Sequence, residues 1–347
     1  MPALWLRRGA AAPAGSAGGN RAGSPEAVLR LNVIPLEAFR DKISFGVAIA
    51  AVERGFRALG LGQATLPDPM VLELRDLSAE IHVKGAHLAG DRHIVLKLAT
   101  GFYNNPARGL PSGDGLFLLL DATTGAPVLL LAEHGYLTDL RTAAAVGLTL
   151  KYFAPKNTHD ALLVGSGAVG RLAARAIVAQ LPLERLTIWN RTPERAEALA
   201  ADLTASGVVQ ARVARAIEPE VRRQRVIVTA TASTAPLIKT AWVANGTHIT
   251  SVGTGSPEKV ELEPALLAKA DKVVADRLFQ TERYGNLHHS IAAGIFTANR
   301  VYGELADLAA GRLPGRETEG EITIADLTGV GVQDAAIAAV VVETLGL

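Results

Sequence analysis

The stretch ALLVGSGAVGRLAARAIVAQLPLERLTIWNRT, residues 161–192, decides the architecture. An apolar run, ALLV, leads into Gly165, Ser166, Gly167, Ala168, Val169 and Gly170; an amphipathic helical segment follows, and a second apolar run, LTIW, comes after it. Strand, glycine turn, helix and strand in that order are the setting in which a Gly-x-Gly-x-x-Gly motif binds a dinucleotide. The first glycine makes the tight turn, the second lets a pyrophosphate approach the backbone, and the third lets helix and strand pack closely. The start of the helix adds free amides and the positive end of its dipole. All six turn residues are therefore candidate cofactor contacts.

The end of the second strand carries the cofactor preference. A carboxylate there would bond the ribose hydroxyls of NAD and repel an extra phosphate. This chain places Asn190, Arg191 and Thr192 at that point, neutral and cationic donors suited to the phosphate of NADP(H) rather than to NAD(H). The competing reading of Arg191 is a surface pair with Glu194. The cofactor set further takes in Arg195, Thr231, Ala232, Val252 and Thr328.

Downstream, ERAEALAADL, RVIVTAT, THITSVG, ALLAKA and KVVAD continue the alternation of helical and strand-like runs. That succession predicts a parallel sheet with crossover helices. Upstream the pattern changes. Residues 38–60 read as a helix, with Phe45, Ile49, Val52, Phe56 and Leu59 on one face. Residues 70–131 are short apolar segments broken by Gly, Pro, Asn and Asp, with a hairpin turn at 121–125, as in an antiparallel meander. The expected fold class is α/β: a Rossmann-type, doubly wound parallel sheet domain plus a mostly antiparallel α+β domain.

Composition narrows the function. The chain has 347 residues, 49% of them apolar, a net charge of +1 and no cysteine. Near-neutral charge argues against nucleic acid or an anionic membrane as partner, and the lack of cysteine removes disulfides, thiolate metal sites and a cysteine nucleophile. No run approaches the roughly 18 apolar residues that a spanning helix needs. Residues 1–28 lack the apolar core of a secretory signal and read as a flexible extension, with a transit peptide as the alternative; the cytoplasm is the default location.

The segment LTDLRTAAAVGLTLKYF, residues 137–153, reads as a helix capped by Thr138 with Asp139 in its first turn. Arg141 would then oppose the helix dipole at a cost of about 0.3–1 kcal/mol, tolerable where an anion binds both guanidinium and helix end. It is a carboxylate or phosphate clamp, or an exposed arginine paired with Asp139 or Glu133. Lys97 in HIVLKLAT, and Lys84 in EIHVKGAHL after Glu80, either mark the solvated face of strands or point together into a cleft, holding a carboxylate and donating a proton. The histidines show no paired metal-binding spacing; His288 and His289 read as a polar helix turn. No Gly-x-Ser-x-Gly elbow supports hydrolysis.

GYLTDLRTAAA (135–145), the GSGAVG turn, WNRTPERAEALA (189–200) and SVGTGSPEKVEL (251–262) together resemble the ornithine cyclodeaminase and mu-crystallin family, over roughly residues 30–347. WNRT looks most like mu-crystallin, a ketimine reductase that prefers NADPH. GFYNNPARGLPSGDG (101–115) resembles a branch with ectoine-utilisation and iminosuccinate-reducing members. The resemblance implies a homodimer in which residues 29–150, completed by 318–347, form the substrate and dimerisation domain, while 151–317 bind the cofactor. It implies that Arg141 clamps a substrate carboxylate and that Lys97 donates a proton or contacts that carboxylate; Lys84 and Glu80 are further candidates for the substrate site. Where ornithine cyclodeaminases carry a catalytic aspartate, this chain has Gly255, which favours simple reduction. The expected function is NADPH-dependent reduction of a small 2-imino acid to an L-amino acid. The alternatives are a cyclodeaminase-type lyase with tightly held NAD, and a non-enzymatic NADPH-dependent binder. Arg108 or Arg75 would be the reader of a second carboxylate.

Overall fold

A computed structural model describes residues 31–347; the extension expected over residues 1–28 lies outside them. Seven strands form the first sheet: β1 (Asn32–Pro35), β2 (Ala64–Thr65), β3 (Met70–Leu74), β4 (Ala79–Leu88), β5 (His93–Phe102), β6 (Gly113–Asp121) and β7 (Pro127–Ala132). Their order is β1-β7-β6-β5-β4-β2, with β3 also on β4, and every pair is antiparallel except β1 with β7. The β6–β7 turn closes on Asp121, whose carboxylate accepts from the amides of Thr123 and Thr124.

Helix α1 (Phe45–Gly60) is shorter than the expected 38–60, because the Ser44 hydroxyl caps it by accepting from the Val47 amide. It packs against α2 (Tyr136–Phe153), α9 (Leu305–Ala309) and α10 (Gly331–Leu345). Phe39, Val52, Phe56, Phe117 and Leu131 are wholly buried in this core. Burying side chains of that size stabilises the fold by about 1.5–3 kcal/mol each.

The second sheet has eight strands, all parallel: β8 (Asp160–Val164), β9 (Arg185–Trp189), β10 (Gln210–Val213), β11 (Val226–Thr229), β12 (His248–Ser251), β13 (Lys272–Ala275), β14 (Gly303–Glu304) and β15 (Thr323–Asp326). The order β10-β9-β8-β11-β12-β15-β13-β14 reverses direction between β8 and β11. In doubly wound sheets ligands bind at the carboxyl ends of the strands flanking such a reversal. Helices α3 (Ala168–Gln180), α4 (Pro193–Ala205), α5 (Ile217–Arg223), α6 (Pro264–Lys269), α7 (Leu278–Thr281) and α8 (Gly285–Ala292) connect the strands.

Residues 318–347, which the sequence assigns whole to the first domain, divide between the two. β15 is buried along its whole length between β12 and β13, as a central parallel strand must be, and only α10 returns to lie on β4 and β5 of the first sheet. The loop 327–330 therefore passes from one sheet to the other. No helix among the described residues is long and apolar enough to cross a membrane.

Candidate active site

A cavity of about 630 Å³ opens between the two sheets, at the carboxyl ends of β8, β11 and β12. The glycine turn forms one wall. Gly165 has φ +110°, and a Cβ there would meet the Ala230 carbonyl oxygen at 2.3 Å, so the crossing of β8 and β11 excludes any side chain. At Gly167 an added Cβ finds nothing within 4 Å, leaving the amides that open α3 free for a pyrophosphate. Gly170 packs within 2.3 Å of the Gly165 oxygen by the same measure, the close helix–strand approach expected of the third glycine.

Buried Glu261 anchors the next wall. Its carboxylate accepts from Thr229 Oγ1 (2.7 Å), Ser251 Oγ (2.7 Å), Thr231 N (2.6 Å), Thr231 Oγ1 (2.7 Å) and Gly253 N (3.0 Å). One acid thus ties together the ends of β11 and β12. Thr231, Ala232 and Val252 stand on the cavity as a result, with Gly167, Ala168, Val169 and Thr328.

Asn190 bonds the Ser166 hydroxyl and accepts from the Thr192 amide, 3.1 Å, so it is spent in shaping the turn. Arg191, Thr192 and Arg195 are exposed outside this cavity, just beyond the end of β9. The alternative pair of Arg191 with Glu194 does not form among the described residues.

The anionic half of a substrate meets α2. Its first turn differs from the expectation: Gly135 in the left-handed region precedes Tyr136, and Glu133, not Thr138, caps the helix, accepting from Leu137 N (2.6 Å) and Thr138 N (3.2 Å). Arg141 consequently sits in the second turn, and the dipole argument for it lapses. Its surroundings supply a different one. Arg141 is 6% exposed and lines the cavity; its Nε lies 3.1 Å from Asp334 Oδ1 and its Nη1 donates to Gln333 Oε1 at 3.2 Å. Gln333 Oε1 also accepts from the Val330 amide at 2.7 Å. Arg141 Nε and Asp334 Oδ2 are buried without a hydrogen bond, and Nη2 makes none among the described residues.

Lys84 and Lys97 are direct neighbours across β4 and β5 and share the face that α10 covers, which settles their ambiguity. Both are buried behind the cavity wall, not on it. Lys84 donates to the carbonyls of Thr328 (3.1 Å) and Gly329 (2.6 Å); Lys97 donates to Asp334 Oδ1 at 3.2 Å and stands 3.1 Å from its Oδ2. Burial, then the neighbouring cations, push Lys84 down to about 7, while burial, partly offset by Asp334, brings Lys97 to about 8. Asp276 accepts from the amides of Thr328 (2.8 Å) and Gly329 (2.6 Å) and locks the same loop from the other side. Lys84 and Lys97 thus stand among the acids Asp334, Asp276, Glu133 and Asp139, and the guanidinium of Arg141 is the cation of this group that the cavity presents to a carboxylate ligand.

Glu80 also lines the cavity, but its carboxylate is already engaged by the Tyr103 hydroxyl, by Lys259 at 3.5 Å and by His82 at 3.5 Å. Burial alone would raise it; His82, Lys259 and Tyr103 outweigh that and hold it near 2. Lys259 comes from the loop after β12, so this cluster joins the two domains across the mouth. Arg75 pairs with Glu73 at 3.0 Å on the surface, and Arg108 is exposed; neither lines the cavity. His288 and His289 bond backbone carbonyls of Glu282 and Lys259. Among the described residues no three acids or histidines gather as a metal site.

Reading the sequence alone misses Asp334, Gln333, Asp139 and Lys259. Asp334 had a usable signal, a lone acid in the apolar helix GVQDAAIAAVVV. Lys259 carried none, since its partners Glu80 and Tyr103 are 179 and 156 positions away.

Residues 37–346 match the model of the ornithine cyclodeaminase/mu-crystallin family. A protein of Sinorhizobium fredii described as an uncharacterized cyclodeaminase is 38% identical over 292 residues, 84% of this chain and 88% of that one. An archaeal alanine dehydrogenase dimer with bound NAD is 32% identical, TM-score 0.85, covering 90% of this chain and 95% of that one. The Thermococcus litoralis Δ1-pyrroline-2-carboxylate reductase in complex with NADH and L-proline is 26% identical, TM-score 0.87, covering 90% and 97%.

Proposed function

Since the chain belongs to the ornithine cyclodeaminase/mu-crystallin family and is a nicotinamide-dependent oxidoreductase, we propose that it reduces the imine of a small 2-imino acid to the L-amino acid, drawing on NADPH. The observation that carries this reading is Arg141, buried yet lining the cavity, its Nη2 unclaimed by any protein group among the described residues, in the same cavity as Val252, Thr231 and the glycine turn. The guanidinium holds the substrate carboxylate by its fork, which orients the imine carbon toward the cofactor wall. Bound NADPH supplies the hydride. Asp334 fixes the Nε side of the guanidinium, and Lys97 and Lys84 keep the pocket positive from behind the wall, a positioning role rather than the direct proton donation expected from the sequence.

Gly255 supports reduction over cyclising deamination: it lines the cavity, and a Cβ there would meet nothing within 4 Å, so the space is open to substrate and no carboxylate occupies it. Exposed Arg191 and Arg195, free of ion pairs among the described residues, support NADPH. The homodimer is likewise proposed, on the dimeric alanine dehydrogenase and on exposed Met70, Leu72 and Leu77 beside the first sheet's edge. The test is oxidation of NADPH and NADH against 2-oxo acids with ammonia or amines, alongside preformed cyclic imines. Reduction of at least one carboxylated imine is expected; release of ammonia from ornithine without net cofactor oxidation would replace this reading with the cyclodeaminase.

A further inference from the structure

Resting on that reading, we propose that Asp139 is the acid that protonates the imine nitrogen as the neighbouring carbon accepts hydride. Three observations bring it forward. Asp139 lies on α2 in the wall that also carries Arg141, and it faces the cavity. Its carboxylate makes no hydrogen bond or ion pair among the described residues, whereas Glu133, Asp276, Asp326, Asp334, Glu80 and Glu261 are all committed to partners. And the group the sequence marks for this role, Lys97, is withdrawn behind the wall with its ammonium on Asp334.

The electrostatics agree with the geometry. Burial, then Glu133 at the end of β7, raise Asp139 to about 7, against the opposing pull of Arg141 on its own helix and Lys97 on β5. Asp334 of α10 lies beyond Arg141, and the rim carries the pair His134–Asp114, 3.1 Å apart; no charge from α1 or α3 acts on Asp139 among the described residues. A carboxyl group half protonated near neutral pH is matched to proton transfer there.

The step balances simply. The O–H bond of Asp139 breaks and its proton joins the lone pair of the imine nitrogen. The carbon–nitrogen double bond becomes single as the carbon takes up the hydride that the proposed reductase activity already supplies. An amine leaves, and the Asp139 carboxylate regains a proton from solvent through the cavity mouth.

Two probes separate this from a structural role: Δ1-pyrroline-2-carboxylate, whose nitrogen needs a proton, and its N-methyl iminium, which is permanently charged and needs none. Asp139→Asn should lower kcat/KM for the first by about 100-fold or more, the usual worth of a general acid, and leave the second within about threefold of wild type. In the wild type the ratio of kcat/KM for the neutral imine to that for the N-methyl iminium should fall as pH rises through the ionisation range of the carboxyl group, because loss of charge from Lys84 and Lys97 acts on both probes alike. Asp139→Glu should restore part of the activity on the neutral imine with its pH profile displaced. Equal loss on both probes with the fold intact by circular dichroism, or loss on neither, overturns the proposal. Should Asp139→Asn not fold, an unchanged pH profile in Asp139→Glu does the same. A wild-type enzyme that reduces other carboxylated imines but neither probe moves the comparison to those imines and their N-methyl forms, and one that reduces none sinks the parent reading itself.

Discussion

Arg141 Nε lies 3.1 Å from Asp334 Oδ1, while the second oxygen of the same carboxylate lies 3.1 Å from Lys97 Nζ. One acid on the C-terminal helix therefore holds two cations from separate elements of the first domain. Breaking a buried pair by removing one partner leaves an uncompensated charge. Asp334→Asn should cost about 3 kcal/mol in denaturant unfolding at pH 7. A loss under about 1 kcal/mol would mean that the Asp334 carboxylate does not hold the two cations in the folded protein.

Arg141→Lys keeps a positive charge but loses the planar fork. KM for the imino acid should rise about 10- to 100-fold while the Kd for the dinucleotide stays within about twofold. Unaltered KM in steady-state kinetics would remove Arg141 from the carboxylate site.

Gly329 has φ +85°, and a Cβ at that position would stand 2.3 Å from Arg141 Nη1. Gly329→Ala strains the backbone and displaces the guanidinium at once. It should lower kcat/KM by about tenfold or more, with a loss of stability of about 1–3 kcal/mol. Wild-type kinetics in the purified variant would show that the loop adapts without moving Arg141.

Cofactor choice rests on Arg191 in the proposed scheme. Arg191→Ser should weaken NADPH by about tenfold or more, equivalent to about 1.4 kcal/mol, and leave NADH within about twofold. Calorimetry with both nucleotides reads this directly; equal weakening of the two would assign Arg191 to some other task.

His248 is buried between Thr323 Oγ1 (2.8 Å) and Thr250 Oγ1 (2.9 Å) and stacks on Phe153. Burial, then Arg316, lower it from 6.5 to about 3. Between those values the unfolded chain binds a proton that the folded chain refuses, so stability is full above about pH 6.5 and falls on acidification toward pH 3. The slope is about 1.4 kcal/mol per pH unit. Stability measured from pH 6.5 to 4 in wild type and His248→Asn should differ in slope by about that amount, whatever the variant's absolute stability. Parallel slopes would mean that His248 takes up its proton in the native state.

Much of this molecule is written locally. The glycine turn, the strand before it and the Asn190–Arg191 step after the next strand are set by residues a few positions apart, and the parallel sheet and the dinucleotide crevice follow from them. Lys84 and Lys97 share a face because the register of β4 on β5 pairs them directly, which alternation within either strand leaves open. Which face α10 would cover was not legible, because α10 lies more than 200 positions away and apolar helices fit either side. A separation of 192 positions to Gln333 likewise hid the partners of Arg141. Residues 137–153 suggested a cation at the first turn of a helix, whereas the helix starts earlier, capped by Glu133, and Arg141 is held by Asp334 and Gln333. Local order in the chain determines turns, strands and the cofactor motif, because their energetics lie within one or two elements. The tertiary structure alone decided which charges are buried, paired or left facing the cavity, since desolvation depends on everything that packs around a group and not on its neighbours in sequence.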